Sequence, residues 1–162
     1  MLQAILVLYK KVVNLPTTNT PLAFCIADDF KYSFFFTDCI GVLNRTYINV
    51  FVGPEEQPWY RNRKGELTQN VLAAYNFDME FIYFLAGWEG LAHNNTVYRD
   101  AYYYKGFITS FEKYWLRDAG YPNSDIILTS YCGTRYYLKE QRLARKKPEN
   151  LKELFNLRHS LL

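Results

Sequence analysis

Lys113-Tyr-Trp-Leu-Arg-Asp118-Ala-Gly-Tyr-Pro122 decides the fold. An aromatic and aliphatic run stops at a carboxylate, Asp118, set just ahead of a glycine and a proline. The pattern predicts a buried strand over residues 113–118 that ends in a turn and presents one acid at its carboxyl end. Open α/β sheets collect their functional groups outside the carboxyl ends of their strands, so an acid in this setting has the form of a metal ligand.

Upstream, Cys39-Ile-Gly-Val-Leu-Asn44 and Thr46-Tyr-Ile-Asn-Val-Phe-Val52 are β-branched and aromatic runs that stop at Gly53-Pro54. They predict one long strand, kinked near Arg45. Two further strands, residues 69–77 and 80–87, are joined across Asp78-Met79 and should pair antiparallel. Gly87-Trp-Glu-Gly90 breaks the sheet, and residues 93–104 read as a helix with Asn94 or Asn95 as its N-cap and Val97, Ala101 and Tyr104 on one face. A helical crossover between the long strand and residues 113–118 makes those two strands parallel by the handedness rule. The outcome is an α/β fold, a mixed sheet with helices. Asn44 within the first core strand and Asp118 at the end of the later one can then face a common cleft, and only Asp118 carries charge.

Toward the N-terminus, Leu2, Ile5, Leu6, Tyr9 and Val13 follow helical spacing. This stretch lacks the basic flank and small-residue cleavage site of a signal peptide. Residues 1–20 are read as a helix and connector, and residues 21–162 as the main domain, with a short aromatic segment at Phe34 to Phe36. Residues 55–65 form a polar loop or hairpin tip, residues 121–125 a turn, and residues 126–128 and 136–138 short apolar pieces. Between Arg135 and Lys147 stand Arg135, Lys139, Arg142, Arg145, Lys146 and Lys147 against the single acid Glu140. Pro148 then opens a helix whose face, Leu151, Leu154, Phe155, Leu161 and Leu162, is apolar to the last residue. A helix this apolar at its end reads as part of a C-terminally truncated domain.

A chain of 162 residues, 49% hydrophobic and 22% charged, is long enough to bury a core and too apolar to be disordered. The aromatic share of 19% implies a densely packed interior. Three cysteines without CxxC spacing support neither a disulfide framework nor a zinc site, and read as reduced thiols. Asn44-Arg-Thr46 and Asn94-Asn-Thr96 match the N-glycosylation sequon, which is inert unless a chain is secreted. No stretch approaches a membrane span. The net charge of +3 permits a nucleic-acid partner without requiring one.

Cleavage of phosphodiesters with metal ions needs clustered carboxylates, because Mg²⁺ takes hard oxygen ligands and paired ions clamp the attacking and leaving oxygens. Five blocks bear on this: Asp38 to Ile48, Tyr60-Arg-Asn-Arg-Lys-Gly65, Leu85-Ala-Gly-Trp-Glu-Gly-Leu-Ala-His93, Asp118-Ala-Gly-Tyr-Pro122 and Glu153-Leu-Phe-Asn-Leu-Arg-His159. In this order they resemble the DDE superfamily endonuclease domain of Harbinger-type transposases, especially fungal copies. The resemblance implies an RNase H-like mixed sheet flanked by helices, a divalent metal cofactor (Mg or Mn), cleavage and strand transfer on DNA, and a nuclear location. It also marks departures. Where the family has Asp-Gly-Thr-His this chain has Asn44-Arg45-Thr46-Tyr47, and the family's Ala-His-Asp is Ala92-His93-Asn94. Asp118 matches the family's strand-end acid, and the family's final Glu lies a few residues beyond the point where the sequence stops. Asn44, Asn94 and Asp118 are thus the expected metal positions with two acids replaced by amides, which implies weakened metal binding and a degenerate or inactive nuclease.

An amide can lend an oxygen but not the charge that holds a hard dication. Glu89 and Asp100 are candidates for partial compensation and read equally as solvated acids. His93 and His159 lack an i, i+4 partner and read as packed or capping side chains rather than metal ligands. For DNA contact the candidates are Arg61, Arg63 and Lys64 in the polar loop with Arg135, Lys139 and Arg142 in the basic run, whose alternative is a solvated helix face. Besides a degenerate nuclease, the sequence is compatible with a non-enzymatic module that binds DNA or a protein partner, and with a non-functional gene fragment.

Overall fold

The two strands that fix the architecture bury their side chains in different patterns. In β1 (Cys39–Asn49) the first half alternates, with Cys39, Gly41 and Leu43 buried and Ile40 and Val42 half-buried, the period of two of a pleated strand. β4 (Tyr114–Arg117) instead buries Trp115, Leu116 and Arg117 in succession, as a strand covered on both faces does. The computed structural model describes residues 2–110, 112–119, 121, 123–134 and 147–162.

β1 and β4 run parallel in the register Cys39↔Tyr114, Gly41↔Trp115, Val42↔Leu116, and β5 (Ile127–Thr129) continues the parallel set beside β4. β2 (Thr68–Tyr75) and β3 (Phe81–Trp88) form an antiparallel hairpin. The strand order β3-β2-β1-β4-β5 gives the mixed five-stranded sheet of an RNase H-like α/β fold. One strand boundary differs from the sequence reading, alongside a register shift. The pairing of β1 with β4 shifts register between Cys39 and Gly41. The strand ends at Asn49, because Val50 N–H turns to the carbonyl of Leu67 (3.0 Å) and Gly53 O then accepts from Glu56 and Gln57 N–H, opening the short helix α4 (Gln57–Tyr60). The Gly120 and Pro122 positions of the turn lie outside the described residues.

By internal contact the chain divides into two units, Met1–Pro16, Leu43–Tyr75 and Met79–Thr109 in one, and Thr17–Val42, Asn76–Asp78 and Ser110–Leu162 in the other. In the first, α1 (Leu2–Val12) forms as its spacing predicts, but its apolar face is not covered: Ile5, Leu6, Val7, Leu8, Tyr9 and Val12 are exposed. The polar loop closes as a hairpin tip held by the buried Asn62. Its Oδ1 accepts from Lys64 N–H (2.8 Å) and Glu66 N–H (3.1 Å), and its Nδ2 donates to Glu66 Oε2 (3.0 Å). Helix α5 (Asn94–Tyr104) buries Val97 and Ala101. Its N-cap is neither Asn94 nor Asn95 but His93, whose Nδ1 accepts from Asn95 N–H (3.3 Å); an imidazole with a free acceptor nitrogen does the work usually given to a short polar side chain.

In the second unit, α2 (Phe24–Ala27), α3 (Phe30–Phe36) and α6 (Leu151–His159) enclose a core of Ile26, Phe36, Cys39, Leu116 and Phe155. The aromatic segment at Phe34 to Phe36 is helical because Asp29 caps it, its carboxylate accepting from Lys31 N–H (2.9 Å). Phe155 meets Phe35 and Phe36 at ring separations of 5.6 and 5.4 Å. Asn150 rather than Pro148 begins α6, accepting from Glu153 N–H (3.0 Å). The buried face of α6 is Phe155, Asn156 and His159, while Leu151 and Leu161 are exposed. Burial pushes the Cys39 thiol up to about 12 despite hydrogen bonds with the backbone of Gly41 and Leu116, so it is inert; Cys25 and Cys132 are exposed and free.

The glycine of the third sequence block, Gly90, sits against the hairpin base. A Cβ there would lie 2.6 Å from Tyr60 O, 3.0 Å from Thr68 O and 3.1 Å from Asn62 N, all backbone atoms that cannot swing aside. Gly90→Ala is expected to destabilise the fold by about 1–3 kcal/mol, the usual cost of overpacking, read as a lower midpoint in urea at unchanged slope; a native midpoint would show that the hairpin base is not closed against Gly90.

Candidate functional site

Two of the sequence blocks meet on one carbonyl. Arg45, in β1, donates from Nη1 to Ala92 O (3.2 Å), and Asn70, in β2, donates from Nδ2 to the same oxygen (3.3 Å). Asn44-Arg45 and Ala92-His93-Asn94 therefore share a neighbourhood within one unit. The guanidinium of Arg45 also stands over the ring of Tyr47, 5.1 Å from its centroid. Asn44 itself is exposed, and its Oδ1 accepts from the adjacent Arg45 N–H (2.7 Å). Asn94 is the first residue of α5 and is half-buried. Asn70 is fully buried, and its Oδ1 has no hydrogen-bond partner among the described residues. The neighbourhood thus offers one spare neutral oxygen and one cation.

Asn44, Arg45 and Thr46 also line a groove of about 380 Å³ with Ala73, Tyr75, Met79 and Phe81. Its walls are apolar and offer no hard oxygen donor beyond amide, hydroxyl and phenol groups. A divalent ion needs converging charged oxygens, and among the described residues no three His, Cys, Asp or Glu side chains gather where they could hold a metal ion. The described residues of this groove do not fit a two-metal clamp.

Asp118 follows β4 directly and is exposed, as its place in the sequence predicted. It belongs to the second unit, whereas Asn44 and Asn94 belong to the first. Asn123 Oδ1 accepts from Thr129 N–H (2.8 Å) and Thr129 Oγ1 (3.0 Å), tying the turn to β5. Behind Asp118 lies His159. Burial holds its imidazole below the ordinary histidine value, against hydrogen bonding to the backbone of Arg117 and Leu128 and the charge of Asp118, which push it up. Arg117 is buried, with its guanidinium 3.2 Å from the centroid of the Tyr121 ring.

Of the DNA-contact candidates, Arg61 is partly committed, donating from Nη1 to Gly65 O (3.0 Å), while Arg63 and Lys64 project from the hairpin tip in the open. Arg135, Lys139 and Arg142 lie outside the described residues, as does the apolar piece at residues 136–138. Glu89 is exposed, and Asp100 accepts from Trp88 Nε1 (3.0 Å). Sequence reasoning passed over Asn156. It is fully buried, accepts from Tyr131 N–H (2.8 Å) and donates to Tyr131 O (3.0 Å) and Thr134 O (3.3 Å), clamping the loop that leads into the basic run. The signal was present: an amide in the middle of Leu154-Phe-Asn-Leu157 is costly to bury unless every polar atom is used.

Because His159 is neutral in the fold and its folded pKa lies below the unfolded value of about 6.5, its contribution to stability is complete above that pH. It is lost as pH falls toward the folded value. The thermal midpoint of the chain should fall on acidification below about 6.5, with a slope of up to about 1.4 kcal/mol per pH unit, and His159→Gln should flatten that part of the profile. An unchanged slope in the variant would place the acid sensitivity elsewhere.

The profile of the family described as DDE superfamily endonuclease matches residues 43–161. No curated protein and no solved structure matches the chain.

Proposed function

The chain belongs to the DDE superfamily endonucleases, and from that membership we propose that it is a Harbinger-type, transposase-derived domain that binds DNA without cutting it. Members of the family act on DNA and generally use divalent metals. The observation that carries the proposal is Arg45. It occupies the place of the glycine in the family's Asp-Gly-Thr-His, and its guanidinium is bonded to Ala92 O, two residues from Asn94. A permanent cation there opposes a dication as surely as the loss of acids at positions 44 and 94 removes its ligands.

On this reading Asn44, Asn94 and Asp118 hold the places of the metal ligands, and Asp118 alone keeps its charge. DNA contact falls to the exposed Arg63 and Lys64 of the hairpin tip, with Arg61, and to the basic run containing Arg135, Lys139 and Arg142. Contacts of this kind grip phosphates and carry little sequence information. The same reading places residues 1–20 as an appendage to the nuclease-derived domain and the protein in the nucleus. Among the described residues no helix is long and apolar enough to cross a membrane.

Titration of Mn²⁺ into the purified chain, followed by thermal unfolding, should give no saturable shift, and supercoiled plasmid should stay intact. Asn44→Asp with Arg45→Gly and Asn94→Asp should introduce a saturable shift that Asp118→Ala removes. A shift in the native chain that Asp118→Ala abolishes would overturn the proposal, and a triple variant that folds yet ignores Mn²⁺ would remove Asn44 and Asn94 from the metal positions.

A further inference from the structure

Helix α5 ends in three consecutive tyrosines. Tyr102, Tyr103 and Tyr104 are 39%, 64% and 80% exposed, although their rings could have been buried to advantage. They form a chain of tilted and edge-on contacts, with centroids 5.1 Å apart for Tyr102 and Tyr103 and 6.3 Å for Tyr103 and Tyr104. Arg99, one turn earlier, lays its guanidinium over Tyr103 at 6.0 Å. Beside this ladder a groove of about 320 Å³ is lined by Trp88, His93, Arg99, Asp100, Tyr103 and Tyr104, among others. Its volume is at the lower end for small-ligand sites. None of these side chains has a part in the proposed metal positions.

The chemistry of the lining selects the ligand. Three aromatic side chains offer faces for a flat ring. One oxygen of Asp100 accepts from Trp88 Nε1–H (3.0 Å), and its charge keeps an anion away from that wall, whereas Arg99 places a cation over Tyr103, where a second cation would meet repulsion. A planar ring joined to an anion fits the Tyr103 side. From this we infer that the groove binds single-stranded nucleic acid, one base stacking on Tyr103 and Tyr104 and the adjoining phosphate pairing with Arg99. Stacking of this kind tolerates any base, because every base has a π-face, and the phosphate contact makes it salt-dependent. The inference rests on the DNA-binding reading above but uses different residues, since the hairpin Arg63 and Lys64 are assigned to duplex phosphates.

Fluorescence anisotropy of a labelled oligothymidylate and of a labelled duplex, at several salt concentrations, separates the two. Single-strand binding is expected to weaken about tenfold for each ring removed by Tyr103→Ala or Tyr104→Ala. The Phe variants at both positions should retain it, and Arg99→Ala should lower the salt dependence by about one phosphate contact. Arg63→Ala with Lys64→Ala should weaken the duplex and leave the single strand bound. The inference is overturned if the tyrosine variants, shown folded by circular dichroism, bind the single strand as the native chain does, if the hairpin variant abolishes both complexes together, or if no single strand binds. In the last case retained duplex binding would leave the DNA-binding reading standing. Competition by thymidine monophosphate at the affinity of the oligomer would overturn the strand in favour of a mononucleotide.

Discussion

Burial of β4 on both faces constrains much of the second unit. Trp115, Leu116 and Arg117 are buried in sequence, so the strand must have neighbours on either edge and cover above and below. The parallel partners β1 and β5 supply the edges. Cover comes from the cluster around Leu116, to which α2, α3 and α6 contribute Ile26, Phe36 and Phe155. A buried arginine in such a strand needs local company, and the ring of Tyr121 against its guanidinium provides it. The position of Asp118 follows: where β4 ends, the chain leaves the interior and the next carboxylate reaches solvent.

On the proposed reading, charge rather than fold separates this domain from a metal-loaded nuclease. An RNase H-like sheet can place strand-end groups well enough for two-metal chemistry, but the ions are held by net negative charge, and geometry without charge does not retain them. In the unit that holds Asn44 and Asn94, the shared carbonyl of Ala92 is satisfied by Arg45 and Asn70. An oxygen so occupied, with a guanidinium as donor, is stable without any ion. If Asn44, Arg45 and Asn94 hold the positions that the resemblance implies, amides stand for acids and an arginine for a glycine, and the arginine is bonded into the fold at Ala92 O.

The sequence made the sheet legible because its signals are strong and local. Runs such as Thr46-Tyr-Ile and Trp115-Leu have few alternatives to a strand, and the crossover rule then gives β1 and β4 their relative direction. What was not legible depended on pairwise contacts. Asp29 as a cap converts an aromatic run with no periodic signature into α3. His93 displaces the more usual asparagines as the cap of α5. Of the apolar face expected for α6, Phe155 is buried while Leu151 and Leu161 are exposed, and Asn156 and His159 are buried beside it, because an amide whose hydrogen bonds are all used can enter a core. Asp118 was readable from its place after a strand, but the bond of Arg45 was not, since its partner is a backbone carbonyl far along the chain.

The aromatic content of this chain divides between core and surface. Much of it packs as expected: Phe36, Trp115 and Phe155 are core, and Tyr83 lies 4.9 Å from Phe107 with its hydroxyl on Lys105 O (3.1 Å). Burial, with the charges of Tyr9 and Asp100 adding to it, pushes the Tyr83 phenol up to about 12, so it acts only as a neutral donor. Tyr103 and Tyr104 share the helix that this bond anchors, yet contribute nothing to the interior. A rigid helix end, fixed beneath by Tyr83 and bearing open rings above, is pre-organised for stacking at little further entropic cost. The two proposals are compatible in one domain, because cutting needs a cluster of charge whereas binding a strand needs only aromatic surface and a phosphate-binding cation.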